Sequence, residues 1–243
     1  EDVNIDIIGD LIVGGPQGAH TSSSTGTINV KDYGLVANNE TYKVQNTTKL
    51  LELLIHGMSE ASCIYFPAGT YYLDAGFNIE FDETLKYPLA IRGEGPGVTT
   101  IRWTSDAATA GFSVVLPPAS VSDGHFFSLS GMTLETEDNF TENRVAIRVD
   151  GKNQIQGGIV MNRVTPRCSL SDLVIKGATY RSLQSWSHGI IFDDVQITDV
   201  ENVTFLGSMT DGNAPVSWQQ STTGLTYKGN GYSTDHFVSN YRA

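Results

Sequence analysis

The chain has 243 residues, of which 40% are hydrophobic and 17% charged, enough apolar material for a sizeable core and too few charges for a disordered or coiled-coil chain. Its 25 glycines favour turn-rich β structure over helix bundles. Fifteen Lys and Arg against 27 Asp and Glu give a formal net charge of -12, which argues against non-specific binding to nucleic acid or an anionic membrane but leaves room for a local basic cleft that takes an acidic polysaccharide.

The chain opens at Glu1 without Met or a charged-then-apolar leader, as a processed or cut piece would. Residues 1–26 combine a loosely alternating apolar segment, Val3 to Val13, with a Ser/Thr/Gly tract from Thr21 to Gly26. They read as an N-terminal arm of one or two strands followed by a flexible linker. Thr27 to Gly34 then alternates apolar and polar residues, the period of a strand. Leu50, Leu51, Leu54, Ile55, Met58 and Ala61 recur at three-to-four spacing. They predict an amphipathic helix over about 46–60, capped by Asn46 or Thr47 and weakened in its last turn by Gly57.

Beyond residue 62 the chain reads as strand and turn. Ile64 to Leu73 is a strand, a tight Pro-Ala-Gly turn and a strand; Leu89 to Gly97 runs into a Gly-rich turn, and Thr99 to Trp103 follows. Cys63, in the apolar run Ser62 to Phe66, reads as a small buried hydrophobe. Neither it nor Cys168 has metal-ligand spacing, and no cofactor or metal is expected. No run approaches the length of a membrane-spanning helix, so no membrane insertion is expected.

A degenerate repeat then appears. Leu129-Ser130-Gly131-Met132-Thr133-Leu134 is echoed by Leu170 to Ile175, by Val200 to Phe205, by Val238 to Ala243 and, as a fifth copy, by Phe192 to Ile197. Leu134 and Ile175 are 41 positions apart and Ile175 and Phe205 are 30 apart, as in coils of constant cross-section that carry loops of variable length. In each copy a short apolar strand meets Gly, Asp or Asn, residues that tolerate a left-handed bend, and a second strand follows. One such coil cannot bury its apolar face, but stacked coils share a continuous core. The pattern therefore predicts a parallel β-helix over 27–243, against the alternative of an antiparallel sandwich.

Ile28-Asn29-Val30-Lys31-Asp32-Tyr33-Gly34 resembles the opening of pectate-lyase-superfamily β-helices, including phage tailspikes. Gln45-Asn46-Thr47 is similar to the family's Asp-Asp-Thr, with amides in place of carboxylates; Ile64 to Tyr71 resembles its strand-to-Pro-x-Gly-x-Tyr signature, and Ile91 to Gly95 with Thr100-Ile101 its Gly-x-Gly turn and next coil. The resemblance implies an all-β, right-handed parallel β-helix (solenoid) with one N-terminal capping α-helix, here an N-terminal portion of a longer solenoid because Val238 to Ala243 looks like the start of another coil. It further implies a homotrimeric tailspike or receptor-binding spike that binds and depolymerises a bacterial surface polysaccharide, located in the virion tail and joined to the virion or an adaptor through the arm. A secreted polysaccharide lyase or glycoside hydrolase and a non-catalytic glycan-binding adhesin are the alternatives.

Such chemistry needs paired carboxylates as acid and base or nucleophile. The candidates are Asp193, Glu135, Glu137 and Asp138, each weighed against plain solvation, with neighbouring Asp194 weighed as the turn residue of its coil. Trp186, His188 and Arg181 are the candidate sugar-binding side chains, with core packing the alternative for Trp186. A lyase would need an Arg or Lys base near a carboxylate-held ion; Lys176 and Arg181 follow a strand, but no acidic cluster accompanies them in sequence.

Overall fold

The computed structural model describes residues 12–15, 18–21, 26–60, 62–82, 87–104, 110–116, 127–137, 144–151, 168–179, 184–195, 198–207, 223–228 and 236–239. Within the arm, β1 (Ile12–Gly15) and β2 (Gly18–Thr21) form a two-stranded antiparallel hairpin. Every other strand pairing among the described residues is parallel, which excludes the antiparallel sandwich. The coil strands are β3 (Thr27–Asn29), then after a helix α1 (Lys43–Glu60) β4 (Cys63–Phe66), β5 (Gly69–Leu73), β6 (Phe77–Glu80), β7 (Leu89–Gly93), β8 (Thr99–Trp103) and β9 (Ala110–Val115). They continue as β10 (Phe127–Thr136), β11 (Val145–Asp150), β12 (Cys168–Gly177), β13 (His188–Asp193), β14 (Thr198–Phe205), β15 (Thr223–Lys228) and β16 (His236–Ser239).

These strands wind into a solenoid with three faces. Face 1 stacks β3, β4, β7, the first halves of β10, β12 and β14, and then β16; face 2 stacks β5, β8 and the second halves of the same three long strands; face 3 stacks β6, β9, β11, β13 and β15. The three long strands each bend once, at Gly131, Asp172 and Asn202, whose φ angles of 68, 51 and 53° are left-handed. These are the Gly, Asp and Asn of the sequence repeat. The bends stack, and Asn202 donates from Nδ2 to Asp172 Oδ1 at 3.1 Å. Leu134, Ile175 and Phe205 pair in one register, so the 41- and 30-residue spacings are coil lengths. Phe192 to Ile197 is a likeness of a different kind: Phe192 and Asp193 end a strand of face 3, and Asp194 makes another left-handed turn there (φ 53°), at another corner of the coil.

Alternate side chains point inward and line the axis in ladders. Ile28, Ile64, Ile91, Leu129, Leu170 and Val200 run in register along face 1, each at most 3% exposed. Trp103, Phe112 and Trp186 meet edge to face at the corner of faces 2 and 3, with centroids 5.5 Å apart in both pairs. Cys63 departs from the sequence reading: it is half-buried, because β4 alternates and Cys63 falls in its outward row between Thr27 and Ala90.

The helix lies against β4, β5, β6 and β7, the first strands of the winding, and buries Asn46, Leu50, Leu53, Leu54, Gly57 and Met58. It covers apolar edges that the first coils would otherwise expose. Two details correct the sequence reading and a third adds to it. The helix starts at Lys43, after a 3-10 turn (Glu40–Tyr42) whose cap is Asn39, accepting from the Thr41 amide at 3.1 Å. Its buried stripe includes Leu53, while Leu51 and Ile55 are 45% and 48% exposed, because the docking face is turned from the one that the spacing picks out. Gly57 is a point of close approach: a Cβ there would come within 2.6 Å of Leu89 Cδ1.

Asn46 is no cap. It is wholly buried inside the helix, where its Oδ1 accepts from Val36 N (2.8 Å) and its Nδ2 donates to Val36 O (2.9 Å) and Tyr72 O (3.2 Å). Thr47 likewise donates to Lys43 O and accepts from Asp74 N. These amide and hydroxyl bonds tie the helix to the segment before it and to the first coil.

Candidate functional site

On face 2 the outward positions form two rows parallel to the solenoid axis. One row is Thr70, Thr100, Thr133, Val174 and Thr204. The other is Tyr72, Arg102, Glu135 and Lys176, continued by Leu206, whose amide donates to Ile175 O at 2.8 Å. Parallel coils set neighbours in a row about 4.8 Å apart, so residues remote in sequence become contacts.

The charged row closes on Glu135. Its carboxylate accepts from Arg102 Nε at 2.7 Å and lies 2.5 Å from the second Arg102 nitrogen, while Lys176 Nζ reaches its other oxygen at 3.1 Å. The Glu135 side chain, although it points outward, is only 5% exposed because the two cations from the coils on either side lie over it. Arg102 also sits over the Tyr72 ring, 5.5 Å from its centroid, a cation–π contact.

Glu137 follows on the same line, since its amide donates to Trp103 O at 2.9 Å and continues the ladder past β10. Its carboxylate is 3.7 Å from an Arg102 nitrogen and its side chain is 29% exposed. Burial, and next the Glu40 carboxylate of the 3-10 turn, push the Glu137 carboxyl above the usual carboxylate range; Arg102 and Lys43 oppose this, and Glu135 adds to it. Glu40 itself pairs with Lys43 at 3.2 Å. Arg102 thus reaches both carboxylates, Glu135 closely and Glu137 at longer range.

Asp193 belongs to a different face. It ends β13 on face 3, in register with Asp150 and Lys228, and takes Arg148 at 3.2 Å. The strand length of face 3, about 17 Å for the six residues of β11, separates that end from the Glu137 corner. Asp193 and the Glu135–Glu137 pair are therefore not brought together. His188 opens β13, with Nδ1 3.0 Å from Ser187 Oγ. Burial, and then the Lys228 charge, hold its imidazole below the usual range.

Trp186 is corrected as a sugar platform. It is 1% exposed and packed on Trp103, so neither ring face is presented to solvent; among the described residues its Nε1 has no hydrogen-bond partner. Asp138 and Arg181 lie outside the described residues. Tyr72, Arg102 and Arg148 are site residues that the sequence reading missed, and Lys176 was weighed only as a lyase base. The signal for one pairing was present: the register that sets Leu134 beside Ile175 sets Glu135 beside Lys176 one position later.

Among the described residues no three His, Cys, Asp or Glu side chains converge as an ion site would require. Among them, too, no helix is long and apolar enough to cross a membrane.

A capped solenoid of parallel coils with ionic and aromatic side chains ranked along one outer face defines a pectate-lyase-like β-helix. The family model described as "Rhamnogalacturonase A/epimerase, pectate lyase-like" matches residues 27–239, and the chain belongs to that family. The comparison with curated proteins found no match. Among solved structures, the chain is similar to the Agl-KA catalytic domain, with a TM-score of 0.48 and 14% identity over 93% of this chain and 37% of that one. It is also similar to the A-module of the Azotobacter vinelandii mannuronan C-5 epimerase AlgE6, with a TM-score of 0.36 and 14% identity over 88% of this chain and 69% of that one. The chain thus spans little more than a third of the first of these structures.

Proposed function

We propose that this chain belongs to a tailspike-type β-helix that binds and depolymerises a bacterial surface polysaccharide, with face 2 as its glycan site. The observation that carries this reading is the Arg102–Glu135–Lys176 row with Glu137 beside it. Glu137 is the acid: it is partly exposed, and burial favours its protonated form, as donation to a glycosidic oxygen requires. Glu135 is the second carboxylate of the pair and also orders Arg102 between the two. Arg102 and Lys176 are both engaged with Glu135, which favours an acid-assisted hydrolysis over a lyase that would need one of them as a free base. Tyr72 supplies an apolar ring at one end of the row. The spike reading is supported by the family resemblance of the opening strand and of Ile64 to Tyr71.

The test has two parts. The protein, incubated with capsule or lipopolysaccharide preparations, is expected to release reducing ends, and Glu137→Gln to lose that release by about 10²–10⁴-fold, the usual contribution of a general acid. Full activity in Glu137→Gln rejects face 2 as the centre, and unsaturated products reject hydrolysis. A homotrimer by light scattering supports the spike; a monomer with the same activity favours a free secreted enzyme.

A further inference from the structure

We infer that the polysaccharide taken by face 2 is an uncharged one, an inference that rests on the reading of this face as the glycan site. The family fold by itself does not set the charge of the ligand; the side chains do. Three cations border the site, Arg102, Lys176 and Lys43, and each is already matched by a carboxylate. Glu135 takes the first two and Glu40 the third, while Glu137 stands against Arg102 as well. Each cation of this face thus already has a carboxylate against it before any ligand arrives.

A uronate or sulfate group entering here would have to displace Glu135 from Arg102 and Lys176. Glu135 is the favoured partner, because it is 5% exposed, is tethered to the same sheet and is held by both cations at once. The wider field points the same way: with a net charge of -12 the chain repels a polyanion at long range.

What face 2 offers instead is suited to sugar hydroxyls and C–H surfaces. Beside the ionic row runs the other outward row, where Thr70 and Thr100 are neighbours and partly exposed, Thr133 is buried under the Gly97 amide, and Val174 and Thr204 follow partly exposed. The ionic row begins with Tyr72 and ends with Leu206, which is 43% exposed. Hydroxyls that donate and accept, with apolar surface at both ends, are the chemistry of a neutral glycan site.

The experiment uses the 243-residue chain and two polymers that share a backbone: polygalacturonate, and the same polymer with its carboxyls reduced to alcohols. Affinity gel electrophoresis at low salt measures retention by each. The unsubstituted protein is expected to ignore polygalacturonate. Glu135→Gln uncovers one unit of positive charge and is expected to gain retention on polygalacturonate only, by about fourfold for one charge about 5 Å from a carboxylate in water, and to lose it again at high salt. Glu40→Gln, at a more exposed position, uncovers Lys43 and makes the same test if Glu135→Gln fails to fold.

Retention of the unsubstituted protein by polygalacturonate overturns the inference. So does a failure of both folded variants to gain retention, since the carboxylates would then not be what turns polyanions away. The glycan-site reading is judged separately, on surface polysaccharide split by anion exchange. Release of reducing ends from the neutral fraction supports both claims. Release from the acidic fraction alone overturns this inference and leaves the function standing, and release from neither overturns the function.

Discussion

Replacing Asn46 tests how the cap is held. Its side chain makes three hydrogen bonds, to both polar groups of Val36 and to Tyr72 O, in a site with no solvent exposure. At about 1 kcal/mol net for each bond, and more for any group left buried without a partner, Asn46→Ala is expected to cost about 3 kcal/mol. For a domain of this size that lowers Tm by about 6–12 °C. Asn46→Asp is the sharper probe. One carboxylate oxygen can keep the Val36 amide, but the other faces two carbonyl oxygens and has nothing to accept from. Burial and those carbonyls raise the folded pKa of such an Asp above its unfolded value of about 3.9. Its protonated form, which can donate to a carbonyl, therefore contributes stability at low pH that disappears as pH rises through the folded pKa. Urea unfolding at pH 5 and pH 8, each referred to the unsubstituted protein, should show a deficit that is larger at pH 8. Thr48→Ala, an exposed helix position, is the control and should stay within about 0.5 kcal/mol. An Asn46→Ala variant as stable as the control, or an Asn46→Asp deficit that does not change with pH, would refute the pinning argument.

The helix face makes a second contrast: Leu54→Ala is expected to cost about 2–5 kcal/mol and Leu51→Ala under about 1, measured by the same unfolding, because Leu54 is 1% exposed and Leu51 45%. At the coil bends, Gly131→Ala places a Cβ at φ 68° and within 2.8 Å of Gly93 O, and thermal unfolding should register at least about 1–2 kcal/mol. Trp103 and Trp186 share the same corner, but among the described residues only Trp103 Nε1 finds an acceptor, Ala75 O at 3.0 Å. Trp103→Phe should therefore destabilise more than Trp186→Phe, by about 0.5–1.5 kcal/mol, since only the first removes a hydrogen bond. Finally, depolymerase activity is expected to fall as pH rises through the raised pKa of Glu137, and a rate that stays flat well above the ordinary carboxylate range would remove Glu137 as the acid.

The winding was legible in the sequence because its causes are local. A left-handed bend needs Gly, Asp or Asn, and Gly131, Asp172 and Asn202 announce it; the apolar positions around them have to alternate to fill one axis. The helix was legible as a helix for the same reason, but not its docking. Leu50 to Ile55 holds five apolar residues in six, and spacing alone does not decide which of them meets the coil. Leu53 won over Leu51 through tertiary contacts, with Asn46 and Gly57 setting the rotation and the closeness of the helix. Asn46 looked like a cap because Asn caps helices so often; that its amide turns inward depends on Val36 and Tyr72, which no helix-local rule includes.

The site was less legible because it is made by stacking rather than by neighbours in sequence. Arg102, Glu135 and Lys176 are separated by loops of unequal length, yet one register brings them into contact. Glu135 and Glu137 drew notice as carboxylates entering a polar loop, and that likeness hid their difference: one is closed under two cations, the other is left with its proton favoured. Asp193 drew the same notice for the same reason and lies on another face, paired with Arg148. A carboxylate's role in a solenoid therefore follows from which coils lie above and below it. Loop lengths can change freely between coils without disturbing such a row, whereas a one-residue slip within a strand would turn Glu135 inward and dissolve it.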